Sequence, residues 1–188
     1  MILVIMAGTA LMGAVRWEPL NPLDEHTNAV TTVDYAHYEI HAGSSYIANH
    51  YAAAVASTNS LDCLLVTADS TKAAHLIYFV AATDEAVAYF YSGVTTSADG
   101  TALTEHNRNM RSSKTAETVA THTPTVSDTG TLIRTFPVNG AKLGAGAVRD
   151  AEEFILAANT KYLLRITSGA AGNGISCEFD WYEHTSKQ

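Results

Sequence analysis

Residues 37–51, HYEIHAGSSYIANHY, hold three histidines and a glutamate, the densest group of metal-capable side chains in the chain. Imidazole and carboxylate groups bind a divalent ion when three or four of them converge on one point. Read as a β-strand, 34–42 turns alternate side chains to the same face. His37, Glu39 and His41 then share one face, and Tyr38 and Ile40 the other.

A metal-dependent enzyme of the cupin type would place two His in an H-x-H pair, a Glu a few residues later and a distal His on another strand. Here Glu39 sits inside the pair, no later P-x-G-containing motif follows, and the only distal candidate, His75, opens an apolar strand. The balance favours a polar strand face at water or at a subunit boundary, with no metal and no cofactor. His50 and His75 read as hydrogen-bonded groups at a core edge, and His184 as exposed near the C-terminus.

Other chemistry is weaker still. No G-x-S-x-G elbow marks a serine as a nucleophile. LGAGAVRD holds G-x-G without the strand and helix that a dinucleotide loop needs. Glu152 and Glu153 adjoin and point to opposite strand faces, which is wrong for paired acid–base work. Trp181 and Tyr182 are able to stack a sugar, but at a strand end they read as core and rim. Arg108, in HNRNMR, is able to hydrogen-bond a partner but reads as part of a solvated loop. The expectation is a protein that is not an enzyme.

The elements that must position these residues are short and β-like. Besides 34–42 they are 61–68, 73–82, 86–92, 116–122, 130–136, 152–156, 161–168 and 175–184. Connections dense in Gly, Ser, Thr, Asn and Asp divide them. The last strand alternates most clearly, with Ile175, Cys177, Phe179 and Trp181 on one face. Tyr162, Leu164 and Ile166 share a face of KYLLRITS, and HLIYFVAA, apolar on both faces, suits a central strand. IANHYAAAVAS (47–57) is Ala-rich, yet Tyr51 and Val55 favour an extended segment over a short helix. The fold expected is all-β, a jelly roll or β-sandwich, over 31–188.

Composition sets further bounds. The 188 residues suffice for one domain, and only 16% are charged, against about 25% in an average soluble domain. The net charge of −8, without a cluster of Lys and Arg, argues against nucleic acid as a partner. Cys63 and Cys177 lie far apart in apolar runs and are able to pair, but they read as two buried free thiols. The start, MILVIMAGTALMGAVRW, lacks the leading positive charge of a secretory signal and is too short and Gly-broken to span a bilayer. Burying Ile2, Leu3, Val4, Ile5 and Met6 would contribute about 1.5–3 kcal/mol each. The run is either an internal strand or an arm docked on a partner; with Pro19 and Pro22 directly after it, residues 1–30 read as an extended N-terminal arm and connector. Ile2, Val4, Trp17, Leu20 and Leu23 would anchor it on a neighbouring chain.

Taken in order, YEIHAG, AHLIYFV, ADGTALTEHNRNMRSS, THTPTVSDTGTLI, EEFILAANTKYLLRITS and CEFDWYEH resemble a group of bacteriophage virion proteins, some of them head decoration or capsid cement proteins. The resemblance covers roughly residues 35–185. It implies a jelly roll that forms a homotrimer on the outer surface of the virion capsid and staples neighbouring major capsid protein subunits together. It carries over no catalytic residues. A tail-associated β-sandwich that recognises a receptor or glycan is the alternative, and a cupin-like enzyme a more distant one.

Overall fold

A computed structural model of the chain describes residues 34–138 and 153–185. The expected arm, with Ile2, Val4, Trp17, Leu20 and Leu23, lies outside the described residues, as do Glu152 and most of the 137–150 loop.

The first element corrects the sequence reading. Residues expected as a strand form a helix, α1 (Tyr35–Ala42). Its end follows from local chemistry. Gly43 adopts φ 72°, and its amide donates to the Ile40 carbonyl at 3.0 Å while that of Ser44 donates to Glu39 at 2.9 Å. This paired closure satisfies two carbonyls that the helix leaves open. A Cβ on Gly43 would stand 2.3 Å from the Ser112 hydroxyl, so the close approach also requires glycine. Asp34, directly before the helix, is a residue type that suits an N-cap.

Strands follow: β1 (Ser45–Val55), β2 (Ser60–Val66), β3 (Lys72–Ala82), β4 (Ala86–Ser92), β5 (Thr95–Ala98), β6 (Thr101–Ala102) and β7 (His106–Asn107). Then come β8 (Val119–His122), β9 (Thr125–Asp128), β10 (Thr131–Val138), β11 (Phe154–Ile155), β12 (Lys161–Ser168) and β13 (Asn173–Thr185). The Ala-rich 47–57 segment is the extended one that Tyr51 and Val55 suggested. The short β5, β6, β7 and β9 carry too few residues for a period to show in sequence.

Two sheets dominate, one five-stranded in the order β11-β3-β13-β1-β7 and one six-stranded in the order β10-β4-β12-β2-β8-β6. Their recorded pairings are antiparallel. Alternation along the strands sends one row of each sheet into a shared core. The first sheet contributes Leu76, Tyr78, Ile175, Phe179 and Trp181; the second contributes Leu65, Phe90, Leu164 and Ile166. Phe90 stands 4.9 Å from Tyr78 across the layer. A ribbon of β5 and β9 lies by the six-stranded sheet, where Leu64, Leu163 and Val94 form a second buried cluster with Val126 beside them. The protein is an all-β sandwich.

The cysteines are another correction. Cys63 in β2 and Cys177 in β13 form a disulfide that joins the two sheets, in place of two free thiols. Each half lies on the inward face of its strand, and the packing of one sheet on the other brings together residues 114 positions apart.

Candidate functional site

The helix takes the anticipated ligand triad apart. At 3.6 residues per turn, His37 and His41 return to one face while Glu39 turns away. Their Nε2 atoms lie 3.0 Å apart at the surface, one donating to the other. Glu39 is buried instead. Among the described residues no group of three or more His, Cys, Asp and Glu side chains is arranged to hold a metal ion. The cupin-like set of His37, Glu39 and His41 therefore does not form.

The HNRNMR loop, expected to be solvated, clamps this helix to the sheet. The Asn107 amide donates to the Gly43 carbonyl at 2.8 Å and the Asn109 amide to the His41 carbonyl at 3.1 Å. Arg108 donates from Nη1 to both carboxylate oxygens of Asp180, at 2.9 and 3.2 Å. Burial and the Asp180 charge raise the pKa of nearby Glu178, while Arg108 acts the other way.

His75, His184 and Tyr182 share the outer face of the five-stranded sheet. The His184 Nδ1–H donates to the Thr185 carbonyl at 3.0 Å, which leaves its Nε2 to accept from the His75 Nε2–H at 2.8 Å. His75 Nδ1 then accepts from the Tyr182 hydroxyl at 3.1 Å, and Glu153 stands 3.6 Å from the same nitrogen. His184 and Glu153 approach opposite ends of the ring, so the three do not converge on one point. His75 fits the core-edge role expected of it. His184 is half-buried rather than exposed, and Tyr182, only 4% exposed, is stacked on His75 rather than offered to a sugar.

What sequence reasoning missed is the set of exposed aliphatics on two edge strands of the sandwich. β10 lies at the end of the six-stranded order and β11 at the end of the five-stranded order. They lie on the same side, because Phe136 of β10 and Phe154 of β11 both reach the Tyr78 ring, at 6.2 and 6.1 Å. The exposed large aliphatics there are Leu132 and Ile133 on the six-stranded sheet, by 49% and 47%, and Ile155, opposite His75 on the outer face of the five-stranded sheet, by 70%. A bulge between Leu132 and Arg134 breaks the alternation and puts Leu132 and Ile133 both outside. The signal in GTLIRTF was two adjacent large aliphatics in a strand that otherwise alternates.

Compared with family models, curated proteins and solved structures, the chain finds no match in any of the three.

Proposed function

We propose that this chain is a structural virion protein that binds the outer surface of a bacteriophage head as a decoration or cement protein, and stabilises it. The observation that carries the reading is the exposure of Leu132, Ile133 and Ile155 on the edge strands β10 and β11. Single exposed aliphatics are ordinary, but Leu132 and Ile133 adjoin on edge strand β10 and Ile155 stands exposed on edge strand β11, and apolar edge strands suit pairing with another protein. The ordered resemblance over residues 35–185 supports the same reading, as does a sandwich whose layers are joined by a covalent link. The low charged fraction of 16% lets such a surface be covered at small desolvation cost.

The major capsid protein and further copies of this chain are the partners. The test is mass measurement at micromolar concentration, followed by sedimentation with undecorated phage heads. A homotrimer that pellets with the heads in a saturable way is expected. A monomer that stays in the supernatant would contradict the reading, and specific binding to a glycan array instead would move the chain to a tail-associated receptor role.

A further inference from the structure

The disulfide has two histidines beside it, one across from each half. In the pairing of β1 with β13, His50 lies opposite Cys177; in the pairing of β2 with β8, His122 lies opposite Cys63. Directly opposite residues of an antiparallel pair put their Cβ atoms about 4.5–5.5 Å apart on the same face. Cys63 and Cys177 are inward, and Ala48 and Ala120, two positions from His50 and His122, are core residues. Both histidines therefore face the interior too. They meet across the layer, their rings stacked with centroids 3.9 Å apart. One cross-section of the sandwich thus holds two cysteines and two histidines, one of each from each sheet.

We propose that, once the Cys63–Cys177 disulfide is reduced, Cys63, Cys177, His50 and His122 bind one zinc ion as a four-ligand Cys2His2 site. The layer then alternates between a disulfide cross-link and a metal cross-link. In the oxidised form no such site exists, because disulfide sulfurs are not thiolates. A dithiol reductant supplies the two electrons: its own thiols become a disulfide, and the Cys63–Cys177 bond becomes two thiols. Zinc then displaces both thiol protons to solvent and takes a lone pair from each neutral imidazole, so its two charges are balanced by two thiolates.

The geometry suits this ion. Zinc binds thiolate at about 2.3 Å and imidazole at about 2.0–2.1 Å in a tetrahedron, which sets the two sulfurs about 3.8 Å apart. The two Cα atoms stand 7.1 Å apart, so side-chain rotation reaches that separation without moving a strand. His122 has its Nδ1 2.9 Å from the Thr123 hydroxyl, which leaves Nε2 for a metal and fixes the ring as outer partners of zinc-bound histidines do. Both histidines are half-buried, so an ion has a way in, whereas the cysteines are sealed.

The experiment uses the full chain, reduced anaerobically with a phosphine and titrated with Co2+ as a coloured stand-in for zinc. The reduced chain is expected to take up one equivalent, with the visible bands of a tetrahedral site and a thiolate-to-metal charge-transfer band, and to release it to Zn2+. The oxidised chain is expected to take up none. His50→Ala and His122→Ala keep both cysteines and should each weaken uptake by at least about tenfold, with Thr123→Val weakening it by about tenfold. If reduction unfolds the chain, return of the β-sheet circular dichroism on adding zinc supports the site, and failure to return overturns it. Uptake that is equal in both redox states, absent after reduction, or indifferent to both histidine variants also overturns it.

Discussion

With only 5% of its surface exposed, the Glu183 carboxylate accepts hydrogen bonds from the amides of Glu117 and Thr118 and from the Trp181 indole N–H. The Thr118 amide and the Trp181 indole N–H are taken out of water and depend on that one acceptor group. Glu183→Ala is expected to lower stability by about 3 kcal/mol in a urea titration, since unmaking a buried charged acceptor orphans its donors. A loss under about 1 kcal/mol would mean the loop finds other partners. The same carboxylate, together with Glu117 and above all burial, pushes the Tyr46 hydroxyl up to about 12. His50 supplies a pH dependence. Its folded pKa lies below the ordinary 6.5, so the unfolded chain protonates first as pH falls. The stability this confers is complete above 6.5 and is lost as pH drops toward and through the folded value. His50→Gln should therefore flatten the decline of melting temperature between about pH 7.5 and pH 5. An unchanged decline would assign it to other groups.

At the scale of elements, the turn from β5 to β6 is built on Gly100, at φ 89°, where a Cβ would stand 2.2 Å from the His122 carbonyl oxygen. Gly100→Ala is expected to cost at least about 2 kcal/mol by denaturant titration, from the left-handed backbone and the displaced β8 strand together. The edge strands behave differently. Leu132→Asp with Ile155→Asp touches only exposed positions, so the melting temperature should hold while assembly is lost, as read by mass and head sedimentation. How legible such elements are in sequence depends on length. β3, β12 and β13 announce themselves because seven or more residues alternate or stay apolar. The helix was missed because DYAHYEIHA alternates well enough to read as a strand, and its true markers, Asp34 before it and Gly43 after it, lie outside the periodic part. The ligand triad failed with it: a period of two joins His37, Glu39 and His41, and a period of 3.6 removes Glu39. The His50–His122 stack and the disulfide were out of reach for another reason. Each depends on the register of four strands in two sheets, which no local window contains.

For the whole molecule, the covalent tie between the sheets closes a loop of 114 residues, so its reduction in the absence of metal should lower stability by about 4 kcal/mol. Chemical denaturation with and without reductant, under a chelator, checks this; equal midpoints would show that packing alone holds the layers together. A sandwich joined in this way, with aliphatics exposed on two edge strands, suits the role proposed for it. The most direct test is imaging of intact virions by electron microscopy at a resolution that traces the chain. The account predicts copies of the sandwich on the outer surface of the head, in groups of three, with Leu132, Ile133 and Ile155 buried against neighbouring subunits. Finding the chain on the tail, or absent from the particle, or bound with those side chains facing solvent, would contradict it.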